Sequence, residues 1–167
     1  MRFMLMTLAM LMSMGCAAQK KVDLNEVHFN EDMEAFVKDV PEIHKGNLFT
    51  TTDMFSYGVS KNSTYYFKDF LPAHVELLSY KDQLAGFSFK MKTFEDQQKV
   101  EGYLRQKYKL AFNAKETTDV TSWKYADDKI IVVLRSVPKE AFAKGMNGYL
   151  TISRSDFSAE YDRLMQR

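Results

Sequence analysis

The chain has 167 residues, of which 46% are hydrophobic, 27% charged and 14% aromatic. That is enough for one domain with a substantial core and too little for a multidomain enzyme. Lys plus Arg number 23 against 22 Asp plus Glu, and this balance carries no signature of nucleic acid or an acidic membrane surface as a partner. Seven Gly and three Pro among so many rings exclude a disordered linker and suit packed strands.

Phe3 to Met12 is an almost unbroken apolar stretch behind Arg2, followed by the small residues Gly15, Ala17 and Ala18 and then by Lys20 and Lys21. It falls well short of the roughly 20 apolar residues that cross a bilayer as a helix, so residues 1–15 read as a signal peptide. Ser13-Met14-Gly15-Cys16 resembles the lipobox of bacterial lipoproteins, in which a small residue precedes a Cys that is acylated and becomes the new N-terminus. Ser13 departs from the Leu that is commonest in that pattern. The resemblance implies lipidation of Cys16 and a cell-envelope protein with the membrane as partner through the lipid. Lys20, Lys21, Asp23 and Glu26 form no compact acidic run like the surface-export signals of some envelope lipoproteins, so a periplasm-facing anchor is expected. Ordinary secretory cleavage after Ala18 is the alternative. Cys16 is the only cysteine, so the fold must hold without an internal disulfide. Val22–Asn30 is polar and without period, so residues 16–30 read as lipidated Cys and tether.

A single α+β domain is expected over residues 31–167. Met33, Phe36, Val37 and Val40 recur at helical spacing, with Asn30 placed to cap and Pro41 to stop. Alternation and β-branched or aromatic composition then predict strands at Met54–Val59, Thr64–Phe70, Val75–Tyr80 and Leu84–Met91. A second helix starts at Thr93, whose hydroxyl and Asp96 suit a capping box, and presents Val100, Tyr103, Leu104 and Tyr108 on one face. Glu95 and Asp96 near its start and Arg105, Lys107 and Lys109 near its end match the helix dipole. Further strands follow at Asp119–Ala126, Lys129–Val137 and Tyr149–Ser153, with Pro138–Met146 a strand or a helical replacement. Ser155 opens a last helix through Phe157, Tyr161, Leu164 and Met165, over 155–166. Lys61-Asn62, Lys81-Asp82, Asp127-Asp128 and Asn147-Gly148 read as hairpin turns, the last the strongest because both residues tolerate positive φ.

Shifting the chain by 66 residues lays Thr51-Thr52-Asp53 on Thr117-Thr118-Asp119, Ser56-Tyr57 on Ser122-Trp123, Pro72 on Pro138 and Leu84 on Leu150. A shift of 67 lays Met33, Phe36 and Val37 on Val100, Tyr103 and Leu104. This predicts two helix-plus-four-strand repeats, at about 31–92 and 93–154. The expected architecture is a single antiparallel sheet of about seven or eight strands with the helices on one face and the other face exposed. In outline it resembles the duplicated helix-plus-four-strand form of secreted β-lactamase-inhibitor proteins, which implies a concave sheet applied to a protein target.

Chemistry-bearing patterns are few. His28, His44 and His74 have neither the spacing nor the cysteine partners of a zinc site, and Asp23-Leu24-Asn25 fails as a calcium loop at Val27 and His28. No Gly-x-Ser-x-Gly elbow or glycine-rich phosphate loop occurs, so neither a covalent nucleophile nor a nucleotide has support, and no cofactor is expected. Asp127 and Asp128 are adjacent carboxylates at a hairpin tip, where solvent keeps both ionised. Aromatic clustering remains, at Tyr57, Tyr65, Tyr66, Phe67 and Phe70 and again at Trp123 and Tyr125. Most of these rings suit a core, but Tyr66, Trp123 and Tyr125 are the candidates for anchors on an exposed sheet face. The expected function is therefore a non-enzymatic envelope lipoprotein that binds a protein partner in an inhibitor, immunity or accessory role. The alternative is a small-molecule-binding lipoprotein or a hydrolase with a loop-built site.

Overall fold

The structure is a computed structural model that describes residues 21–50 and 53–166; the leader, Cys16 and the Thr51-Thr52 pair lie outside the described residues. The elements in chain order are β1 (Val22–Asp23), α1 (Met33–Val37), β2 (Ile43–Asn47), β3 (Met54–Val59), β4 (Tyr65–Tyr66), β5 (Val75–Tyr80) and β6 (Gln83–Met91). Then come α2 (Phe94–Lys107), β7 (Ala111–Lys115), β8 (Thr121–Ala126), β9 (Ile130–Ser136), α3 (Lys139–Ala143), β10 (Gly148–Arg154) and α4 (Ser155–Met165). Eight strands form one open antiparallel sheet in the order β2-β3-β5-β6-β10-β9-β8-β7, while β1 and β4 pair separately in parallel.

Read from either edge, the sheet is a four-strand meander preceded by a helix, and the two fourth strands, β6 and β10, pair at the centre. Ser88 faces Thr151 there, and the Thr151 hydroxyl donates to Ser88 Oγ at 3.1 Å. About that point the halves correspond. Met33 and Val37 of α1 are buried in the same core as Val100 and Leu104 of α2, with Phe36 and Tyr103 half-buried beside them. Tyr57 and Trp123 point to this same face. The α2 cap is as expected, Thr93 Oγ1 accepting from the Asp96 amide at 3.1 Å, whereas α1 is capped by Asp32, which accepts from Ala35, rather than by Asn30.

The ungapped repeat does not survive past the second strand. Pro72 lies between β4 and β5, whereas Pro138 starts α3 between β9 and β10, so the two prolines occupy unrelated connections. Leu150 corresponds to Phe87 rather than to Leu84, because the spacing changes from 66 between Tyr57 and Trp123 to 63 between Phe87 and Leu150. The causes are an insertion carrying β4 in the first half and one carrying α3 in the second.

Three local expectations are corrected. Thr64–Phe70 is not a sheet strand: only Tyr65–Tyr66 is extended, Lys68 takes φ 55°, and the buried rings of Tyr65 and Phe67 cap the core from outside the sheet. The edge strands β2 and β7 complete the two meanders instead. Asn147-Gly148 is no hairpin, since Gly145 takes the left-handed φ of 81° that ends α3 and Gly148 packs against Gln97 at the start of β10. Val22–Asn30 is no tether either. Leu24 is only 2% exposed and its amide bonds to the Tyr66 carbonyl at 2.7 Å, so the chain joins the fold at Val22.

The main core lies between the sheet and the layer made by α1, α2 and the segment from Val22 to Phe29. The C-terminal helix takes the opposite face. Phe157 of α4 is buried there with Met54, Leu78 and Ala85, and Tyr161 and Leu164 pack around it. This small second core is possible because Ala85 is an extra residue in β6, between Leu84, which pairs with Ser79, and Gly86, which pairs with Leu78. The bulge turns Ala85 toward α4 while Leu84 stays in the main core. Gly86 then sits so close to β10 that a Cβ would meet the Ile152 carbonyl at 2.5 Å.

Candidate functional site: the open half of the sheet

Strand alternation decides what the face opposite α1 and α2 presents. One cross-strand row runs His44, Gly58, Glu76, Ser88, Thr151, Val133 and Lys124. A neighbouring row aligns Lys90, Tyr149, Arg135 and Ser122. On this face α4 covers Met54 of β3, Leu78 of β5 and Ala85 of β6 and bonds to β10 through Ser153 and Ser158, whereas Tyr149 of β10 and Arg135 of β9 lie exposed.

Tyr149 is the exposed aromatic of this open half, at 42% of its full accessible area, and it stands directly between Lys90 and Arg135. Arg135 Nε is 2.9 Å from Glu116 Oε1 at the β7 end, which orients its guanidinium. Beside the row, a groove of about 350 Å³ runs between α4 and the sheet, with Leu78, Ile131, Val133, Phe157 and Tyr161 among its walls and Lys124 and Arg135 at its rim. Farther along, His74 Nε2 and Glu76 Oε1 are 2.7 Å apart, a pair that uses the one carboxylate of the Ser88 row. Among the described residues no His, Cys, Asp or Glu cluster could hold a metal.

The three sequence candidates are not part of this surface. Tyr66 is half-buried in β4, outside the eight-stranded sheet. Trp123 and Tyr125 point to the helix side, because the polar Ser122 and Lys124 alternate with them and take the other face. There Arg105 of α2 stacks 4.2 Å from the Trp123 ring centroid, and Phe112 meets the ring edge-on. Tyr125 packs against Tyr108 and donates to Asp127 Oδ2 at 2.9 Å. Tyr149 was legible by the same parity: if Leu150 and Ile152 face the core, Tyr149 and Thr151 face away.

A larger crevice of about 800 Å³ opens at the other end of the sheet, floored by Leu24, Phe87 and Ile152. Arg154 spans it. Its guanidinium donates to the Phe29 carbonyl at 2.9 Å, to Gln83 at 3.0 Å and to Asn30 at 3.2 Å while pairing with Asp156 at 2.8 Å. Those bonds strap the N-terminal segment to the sheet, and the Arg154 hydrogen bond holds the Asp156 carboxyl below the usual carboxylate range. Among the described residues no helix is long and apolar enough to cross a membrane. Comparison with known protein families, characterised proteins and solved structures finds no match to this chain.

Proposed function

We propose that this is a non-enzymatic lipoprotein of the bacterial cell envelope that binds a protein partner through the open half of its sheet, in an inhibitor, immunity or accessory role. The observation that carries the reading is Tyr149, an exposed ring placed between Lys90 and Arg135 on the face of the sheet opposite α1 and α2. Tyr and Arg are the residue types that concentrate binding energy at protein interfaces, and a sheet presents them without the entropy cost of ordering a loop. A catalytic or small-ligand site instead calls for polar groups converging in a concave pocket. In the larger crevice Asn30, Gln83 and Asp156 are bonded to Arg154 in the strap that holds the N-terminal segment. The lipobox-like Gly15-Cys16 supplies the address.

Site-specific photo-crosslinking in the native envelope tests the reading. A photoreactive side chain at Lys90 is expected to capture a discrete protein, while one at Lys38, on the far side of the molecule near α1, captures none. Tyr149→Ala is expected to weaken association by about 30-fold, the equivalent of about 2 kcal/mol, with an unchanged thermal midpoint. Equal labelling from both positions, or none from Lys90, overturns the proposal.

A further inference from the structure

We infer that the partner presents an acidic segment whose central apolar side chain enters the groove between α4 and strands β8 to β10. The inference rests on the protein-binding reading and adds the partner's chemistry. About the Ser88–Thr151 centre, Leu78 corresponds to Arg135 and Gly86 to Tyr149. In the first half that position lies under Phe157 of α4. In the second half no element covers it, so an apolar floor of Ile131 and Val133 is left beside the Phe157 and Tyr161 wall. A space of about 350 Å³ admits a large side chain and not a further helix.

The charges around the groove choose the flanking residues. Lys124 lines the groove and Lys90 stands beside Tyr149 on the adjoining strand; both are half-buried, so their stems lie along the sheet. Neither has an ion-pair or hydrogen-bond partner among the described residues. Arg135 is neutralised by Glu116, and the nearest row carboxylate, Glu76, is taken by His74. Asp162 of α4 is the one acid of the lining, against Lys124 within it and Lys90 beside Tyr149 just outside it. Complementarity therefore favours carboxylates from the partner on the sheet side of the groove and disfavours basic segments. An anionic bilayer would satisfy the cations, but it would leave the narrow apolar groove unfilled.

Binding of labelled synthetic peptides to the lipidated full chain in zwitterionic nanodiscs tests this. The probe is a short peptide with a central Leu-Phe flanked by Asp and Glu; its controls have Lys and Arg flanks, or Ala-Ala at the centre. The acidic Leu-Phe peptide is expected to bind at least about tenfold more tightly than either control, with steep salt dependence. The Lys90→Glu, Lys124→Glu double variant, checked for an unchanged thermal midpoint, is expected to invert the preference toward the basic-flanked peptide. Equal binding of all three peptides, failure of the acidic one, or indifference to the double variant overturns the inference. So does binding to anionic phosphatidylglycerol vesicles without peptide binding. Should the Lys90 crosslink still capture a discrete protein when the acidic peptide fails, the protein-binding reading stands and the acidic partner falls.

Discussion

Asn62 replaces a backbone ladder with its own amide. It is buried, donates to the Pro72 carbonyl at 2.7 Å and to the Tyr65 carbonyl, and accepts from the Tyr65 amide at 2.8 Å and the Thr64 amide at 3.2 Å. The segment that lays Tyr65 and Phe67 over the core is therefore pinned by one side chain. Asn62→Ala would leave several buried backbone groups without partners, each costing about 1 to 3 kcal/mol. A loss of about 2 to 4 kcal/mol in urea denaturation is expected, large for one polar residue. In sequence Asn62 looked like a hairpin turn, since a turn Asn and a buried Asn differ only in what surrounds them. Asp127 is the converse case, a true turn residue: its carboxylate accepts from the Ile130 amide at 2.7 Å and the Lys129 amide at 2.9 Å. These bonds, with the Tyr125 hydroxyl after them, hold its pKa below the usual range. The folded pKa is depressed, so this contribution is complete above the unfolded value of about 3.9 and is lost as pH falls through the folded one. Acid titration of stability should show Asp127→Asn to be less stable than the parent at neutral pH, with the gap narrowing as the pH falls below about 4.

At the level of elements, α4 decides how much of the sheet remains open. Phe157 is its only buried residue and fills the small core formed with Met54, Leu78 and Ala85. Phe157→Ala is expected to cost about 3 to 5 kcal/mol by thermal or urea unfolding, and to raise binding of a hydrophobic dye by uncovering Leu78 and Met54. Tyr149→Ala should leave stability within about 0.5 kcal/mol. Helices α2 and α4 and the strands β3, β5, β6, β8, β9 and β10 were legible because each buries at least one face and so carries a clean period. The edge strands were not. Ile43-His44-Lys45-Gly46-Asn47 and Ala111-Phe112-Asn113-Ala114-Lys115 are paired on one side only and are mostly exposed, so selection for burial leaves no alternation to read. Phe112, 60% exposed, owes its place to an edge-on contact with Trp123 rather than to a core. The placement of Trp123 and Tyr125 follows from parity rather than from aromatic density: Ser122 and Lys124 alternate with the rings and put them on the core side.

Across the whole molecule, the near two-fold sheet has an N-terminal segment fastened to it at several points. Val22 and Asp23 pair with β4, Leu24 enters the core, Asn25 accepts from Tyr103 and Lys107 of α2, and the Phe29 carbonyl is held by Arg154. The polar look of residues 22–30 concealed this, because the segment docks mainly through backbone groups and one leucine. The consequence concerns reach. If Cys16 carries the lipid, only the chain from Cys16 to Val22 separates the bilayer from the folded domain, and its extended length is about 20 Å. A free tether through Asn30 would have allowed about 50 Å. A protein so closely held can engage only partners whose binding surface lies near the membrane. Cys16→Ser is expected to release the protein from membranes in fractionation without changing its thermal midpoint, because nothing in the fold from Val22 onward depends on the lipid. Arg154→Ala is expected to loosen the strap, seen as faster hydrogen exchange at the Leu24 and Leu84 amides, which bond to the Tyr66 and Glu31 carbonyls. If the close tether matters for function, inserting a flexible segment of about ten residues after Lys20 should leave the isolated protein's peptide affinity unchanged. The same insertion should lower the yield of the Lys90 crosslink in the envelope, since a longer linker dilutes the domain relative to a membrane-proximal partner. An undiminished crosslink from the lengthened protein would mean that the partner reaches out to the domain, and that the strap serves stability alone.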